Sequence, residues 1–175
     1  MAEEKRHPEW EGKVSADIRS ATAKQVWPLV EDFCSLDKWY PGVDTCLQVE
    51  GVYGEPGLVR YVTSTVASPP PPNDADQKPK TVVKWCYETL RSIDPVQRRL
   101  SYQITENNLG VRFYVAEWQV IDNKDGDDAG GCRIEWRFTA DPMEGQTLEG
   151  FCGYIKSSLN GIAGRMEKAL QADDK

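Results

Sequence analysis

Apolar positions along this chain change their period three times, and each change marks a boundary between elements. Residues 10–19, Trp10-Glu11-Gly12-Lys13-Val14-Ser15-Ala16-Asp17-Ile18-Arg19, alternate well enough to predict a first strand. The stripe then becomes helical, with Val26, Trp27, Leu29, Val30 and Phe33 on one face of a short helix capped by Ser20 or Thr22. Pro28 fits such a helix only near its first turn, where the missing N–H is not needed. Leu36-Asp37-Lys38-Trp39-Tyr40-Pro41 predicts a second brief helical turn that ends at the proline. From Val43 onward alternation returns, and strands are predicted over 43–52, 57–67, 81–93, 99–107, 110–122 and 131–140, separated by Gly, Pro, Asn and Asp clusters. Their short connections imply an antiparallel meander.

The last change is the clearest. Between Thr147 and Gln171, Leu148, Phe151, Cys152, Ile155, Leu159, Ile162, Met166 and Leu170 recur at steps of three and four. They form one stripe on a helix of roughly six to seven turns. Thr147 suits the N-cap, and Glu149 places negative charge in the first turn, where the helix dipole favours it. Gly153, Gly161 and Gly164 each weaken the helix by about 1 kcal/mol relative to alanine, and close packing on a concave sheet would account for them.

One strand, a short helical pair, six further strands and a long amphipathic helix add up to an α+β fold. The expected architecture is a curved seven-stranded antiparallel sheet wrapped around the C-terminal helix, with two short helices and an internal cavity where sheet and helix cannot meet. Residues 1–9 read as a polar leader and residues 10–172 as a single domain. Residues 68–80 form a proline-rich, charged loop insertion, expected to be extended and mobile.

Two charges fall on inward-looking strand faces. Arg60 is in register with Leu58, Val62, Ser64 and Val66; Glu88 is in register with Cys86 and Leu90, although Trp85 and Tyr87 make its opposite face nearly as apolar. An isolated buried charge costs several kcal/mol, so two on facing surfaces are expected to meet each other, water or a ligand. The same periodicity sends inward Leu100, Tyr102 and Ile104, then Tyr114, Ala116, Trp118 and Val120, then Ile134, Trp136 and Phe138. Arg112 shares a register with Tyr114 but follows a turn, which places it at a rim with its head in solvent. Such a set has two readings. In one, Glu88 is a general base tuned by burial and by Arg60, with the tyrosines binding a ligand oxygen. In the other, Arg60 and Glu88 are a structural ion pair and the phenols are merely satisfied.

Composition narrows the alternatives. A net charge of −7 argues against a nucleic acid or an anionic membrane as partner. The N-terminal residues lack an apolar signal segment, and no run approaches the ~18 residues of a membrane span, so a cytoplasmic protein is expected. His7 is the only histidine, and the five cysteines at 34, 46, 86, 132 and 152 show no CxxC spacing. Zinc sites, Ser-His-Asp triads and Cys-His dyads therefore lack parts, and Walker, GxGxxG and EF-hand sequences are missing. The cysteines are expected to be reduced, and no cofactor is expected.

The order of elements, together with Val26-Trp27-Pro28-Leu29-Val30-Glu31-Asp32-Phe33, Trp39-Tyr40-Pro41 and Gly57-Leu58-Val59-Arg60, resembles the plant polyketide cyclase/dehydrase branch of the helix-grip superfamily. That superfamily includes START-like proteins, birch-pollen allergen type proteins and abscisic acid receptors. Within it, residues 10–170 are most similar to the lachrymatory factor synthases. The resemblance implies a cofactor-independent isomerase that moves a proton from oxygen to carbon in an unsaturated sulfenic acid. It assigns Glu88 as proton shuttle and Arg60 as its partner on the sulfenyl oxygen. Tyr102 and Tyr114 become oxygen ligands, and Trp136 and Trp118 line the pocket. A monomer binding a small hydrophobic molecule is expected, and the alternative is a non-catalytic carrier of such a metabolite. The loop 68–80 is longer than in those enzymes. The receptor sequences Ser-Gly-Leu-Pro-Ala and His-Arg-Leu are absent, so hormone-dependent phosphatase inhibition is not expected.

Overall fold

The computed structural model describes residues 9–70, 72–73, 76, 78–124 and 130–174. The expected leader up to residue 8, with His7, and several residues of the 68–80 loop lie outside that set. The chain order is β1 (Trp10–Ile18), α1 (Ala23–Glu31), a 3-10 turn (Phe33–Ser35), α2 (Leu36–Trp39), β2 (Thr45–Glu50), β3 (Val59–Ser68), β4 (Lys80–Asp94), β5 (Arg99–Asn107), β6 (Tyr114–Asp122), β7 (Cys132–Ala140) and α3 (Leu148–Asp173). The seven strands form one sheet in the order β1-β7-β6-β5-β4-β3-β2, and every neighbouring pair is antiparallel. This is the helix-grip arrangement anticipated from periodicity. No helix among the described residues is long and apolar enough to cross a membrane.

Local chemistry explains most boundaries. Thr22 caps α1 through a reciprocal capping box with Gln25, which decides between the two candidate caps. Starting the helix at Ala23 puts Pro28 in the second turn rather than the first, and the helix ends soon after it. A proline there removes one intrahelical bond, and burial of Val26, Trp27 and Val30 holds the short helix in place. Strand β6 begins at Tyr114 instead of residue 110 because Asn107 ties the preceding loop. Its side chain accepts from the Leu109 and Val111 N–H groups and donates to the Val111 carbonyl. The inward set of β3 also ends sooner than periodicity suggested. Leu58, Arg60 and Val62 are buried, Ser64 is half-buried, and Val66 is 41 % exposed. Helix α3 packs against β1 and β7, at the opposite edge of the sheet from β2 and β3, so the far ends of β3 and β4 extend beyond its cover.

The helix stripe is buried as expected at Phe151, Ile155, Leu159, Ile162 and Met166. Its glycines behave differently from the expectation of packing on the sheet. A Cβ on Gly161 would lie 2.8 Å from the Pro41 ring, so this glycine admits the α2–β2 loop rather than a strand. Gly153 and Gly164 face open space. The close approach to the sheet is made instead by Gly12 of β1, where a Cβ would sit 2.5 Å from the Phe138 ring and 2.9 Å from Cys152 Sγ. At the other end of β1, the Glu167 carboxylate of α3 accepts from the Arg19 N–H, the Ser20 N–H and the Ser20 hydroxyl. Burial works against its charge, but those hydrogen bonds outweigh it and hold the carboxyl below its usual range.

These contacts predict opposite outcomes for two glycine substitutions. Gly12→Ala overpacks the seam between β1, β7 and α3 and should lower unfolding free energy in urea titrations by about 1–3 kcal/mol. Gly153→Ala removes a helix penalty without meeting any neighbour and should raise it by about 0.5–1 kcal/mol.

Candidate functional site

The register of β3 against β4 sets Arg60 directly opposite Glu88. Both side chains point into the fold, at 4 % and 7 % exposure. Arg60 Nε donates to Glu88 Oε2 at 2.6 Å, and an Nη approaches the same oxygen at 2.5 Å. The other Nη donates to the Phe33 carbonyl at 2.5 Å. The guanidinium also lies over two rings, with its carbon 3.8 Å from the Phe33 centroid and 5.2 Å from that of Tyr102. Burial disfavours the charge on Arg60, but Glu88 more than restores it, and the group stays above its ordinary value. Glu88 Oε1 accepts the weak S–H donor of Cys86 at 3.8 Å. One carboxylate oxygen is thus saturated by Arg60, while the other holds only a thiol among the described contacts.

The opposite face of β4, nearly as apolar in sequence, has its own explanation. Trp85 and Tyr87 gather with Tyr61 on the outside of the sheet, where the Tyr61 and Tyr87 rings are 4.9 Å apart. An exterior aromatic cluster of this kind masks the alternation that would otherwise have assigned Glu88 inward without ambiguity.

The remaining expected residues are all buried and form a continuous run, with the Tyr102 and Tyr114 rings 6.4 Å apart. Tyr102 packs on Phe33 and lies beside Arg60. Tyr114 sits one layer further toward β7, its hydroxyl accepting from Trp136 Nε1 at 3.0 Å, and Trp136 packs on Trp118 with centroids 4.9 Å apart. Burial pushes both phenols well above their ordinary values, Tyr114 against the opposing effect of its hydrogen bonds. They are neutral hydrogen-bonding groups rather than bases. The thiols near Arg60 are also held protonated: burial raises Cys34 to about 11, and it raises Cys46 and Cys86 as well.

A narrow cavity of about 20 Å3 lies between the sheet, the α1–α2 layer and α3, room for roughly one water. Its lining includes Arg60, Tyr102 and Trp118 of the expected residues, together with Phe33, Trp39 and Met166. Glu88, Tyr114 and Trp136 do not border it. Glu88 instead stands behind Arg60, in direct contact with its guanidinium. Phe33 and Trp39 were legible only as members of helical stripes. The Phe33 carbonyl that anchors Arg60 is a backbone atom, to which no side-chain pattern points. Among the described residues no group of three or more His, Cys, Asp or Glu side chains is placed to hold a metal ion.

A curved antiparallel sheet gripping a C-terminal helix, with the guanidinium of a buried ion pair lining an internal cavity, defines a ligand-binding helix-grip protein. Residues 9–171 match the family described as polyketide cyclase/dehydrase and lipid transport, and the chain belongs to that family. Three solved bacterial structures share the fold at 20 % identity each. The protein XoxI from Bacillus cereus superposes with a TM-score of 0.68, over 95 % of this chain and 99 % of its own. An uncharacterised protein from Bacillus thuringiensis gives 0.65 over 91 % and 97 %. A protein from Thermobifida fusca gives 0.65 over 90 % and 93 %.

Removing one member of the Arg60–Glu88 pair leaves the other buried without compensation. Arg60→Met should therefore lower stability by about 3–5 kcal/mol. Adding Glu88→Leu to that variant should recover a large part of the loss, and urea unfolding of the two single variants and the double variant measures the coupling.

Proposed function

We propose that this protein is a cofactor-independent proton-transfer enzyme that isomerises a small, unsaturated, mostly apolar substrate of the sulfenic acid type. The observation that carries the reading is the asymmetric engagement of Glu88. Arg60 saturates Oε2, and Oε1 keeps only the Cys86 thiol as its neighbour among the described contacts, leaving lone pairs to accept a proton in a buried site. In the reaction, Glu88 Oε1 takes the proton of the S–O–H group. The electron pair freed on oxygen forms the S=O bond, a sulfur lone pair forms the C=S bond, and the C=C π pair takes the proton that the same carboxyl returns to the distal carbon. Atoms and charge balance, and no oxidant or reductant is consumed. Arg60 holds the oxygen as it becomes negative, and Tyr102 faces the same space. Because Arg60 separates Glu88 from the cavity, the substrate must enlarge that cavity along the guanidinium to reach Oε1. Resemblance to the lachrymatory factor synthases supports this reading, and so does the family's association with cyclase and dehydrase chemistry.

A second reading draws on the same boundary. Arg60 borders the cavity and Glu88 does not, which favours a carrier in which Arg60 neutralises the carboxylate of a small hydrophobic ligand. The two are separated by variants. Purified protein should convert freshly generated 1-propenesulfenic acid to the thial S-oxide, and Glu88→Gln should abolish turnover while remaining folded. Retained turnover in that variant removes Glu88 from the mechanism. Ligand binding that survives Glu88→Gln but weakens with Arg60→Ala, without turnover by the wild type, selects the carrier.

A further inference from the structure

The cavity lining is rich in hydrogen-bond donors. It presents the Arg60 guanidinium, the Tyr102 phenol and two indoles, Trp39 of α2 and Trp118 of β6. Three indole N–H groups, those of Trp27, Trp39 and Trp118, are buried without an acceptor among the described residues, and the latter two belong to this lining. Trp118 is only 5 % exposed as a whole residue. Indole nitrogen is a donor and nothing else, and a buried donor without an acceptor destabilises the fold. The neighbouring Trp136 shows the ordinary solution, since its N–H reaches the Tyr114 hydroxyl at 3.0 Å. The one carboxylate in the lining, Asp32, accepts instead from the Ser35 hydroxyl at 2.6 Å.

Two orphaned donors from opposite walls, one on the helical layer and one on the sheet, share a cavity with a guanidinium. We infer that Trp39 and Trp118 complete an oxyanion site with Arg60, so that the ligand presents an anionic oxygen, which the indole N–H groups bind alongside the guanidinium. Arg60 supplies the positive charge. The indoles supply directed donors that bring no counter-charge and select against cationic ligands, because they offer nothing that accepts a hydrogen bond. An anionic oxygen of this kind is either the sulfenate formed when the substrate loses its proton or the carboxylate of a bound ligand. The inference rests on the reading that this cavity is the binding site, and it deepens that reading by naming the chemical class the site selects.

The test uses the full chain labelled with 15N and acetate as the probe, at pH 7 and constant ionic strength, with methylammonium as the cation of similar size. The six tryptophans give six indole N–H signals, and Trp39→Phe and Trp118→Phe assign the two of interest. Acetate should shift both signals saturably and downfield, along with the Arg60 Nε–H, while methylammonium shifts none of them. Trp118→Phe should weaken acetate binding about tenfold, the loss of one hydrogen bond to a charged group. Its remaining five indole signals report that the variant is folded. If acetate moves the Arg60 signal and leaves both indoles unchanged, the cavity binds anions without them and the inference falls while the site stands. Indoles that contact only an ordered water, before and after acetate, overturn the inference in the same way. If no signal responds, the binding-site reading falls with it. Competitive inhibition of sulfenic acid turnover by acetate identifies the oxyanion as the sulfenate, whereas acetate binding by a wild type without turnover identifies it as a ligand carboxylate.

Discussion

Taking the Arg60 guanidinium out of water is the most demanding thing this fold does, and much of its architecture answers that demand. The desolvation of such an ion costs several kcal/mol even after relaxation. Three residues from different parts of the chain offset it: Glu88 across the β3–β4 ladder, Phe33 through both its carbonyl and its ring face, and the ring face of Tyr102. A one-residue slip of β3 would send Arg60 to solvent and bring Tyr61 inward, so the pair pins the register as well as filling the interior. The bond to Phe33 does something further. It ties the sheet to the turn between α1 and α2, the layer that roofs the cavity.

That arrangement divides the molecule into two regions. Around β1, β7 and α3 the interior is apolar and tightly interdigitated, with Gly12 admitting Phe138 and Cys152 at distances no side chain would permit. Around β3, β4 and the short helices the interior is mostly apolar but holds the Arg60–Glu88 pair, and the narrow cavity lies there. Helix α3 covers the first region and lends Met166 to the wall of the second. A rigid seam on one side and a small concavity that a ligand would have to widen on the other leave the binding region on the looser half of a stable scaffold.

Membership of the polyketide cyclase/dehydrase and lipid transport family fixes the scaffold and the habit of binding molecules inside it. It leaves the chemistry to the residues, since folds of this breadth host unrelated reactions. The likeness to the bacterial structures, at 20 % identity, is likewise one of fold. In this chain the local facts are a carboxylate bound on one oxygen, a guanidinium beside a narrow cavity, phenols kept neutral by burial, and, among three indole donors without acceptors, two in the cavity lining.

By itself the sequence determined the element order, the antiparallel meander and the inward placement of Arg60, Tyr102, Tyr114, Trp118 and Trp136, while Glu88 stood between two faces of nearly equal apolarity. Each of these follows from period-two or period-3.6 patterning, which is a local property of the chain. It was misleading where packing overrode the local signal. Val66 continues the inward register but lies past the cover of α3, and the helix glycines reflect Pro41 and open space rather than the sheet. Only the tertiary structure decided that Arg60 and Glu88 are direct cross-strand partners, because register depends on long-range pairing. Only it could show the Phe33 carbonyl as an anchor, the separation of Tyr114 and Trp136 from the cavity, and the orphaned indole of Trp39. Those facts concern which atoms from distant segments meet, and patterning along one segment carries no information about the surface that another will bring against it.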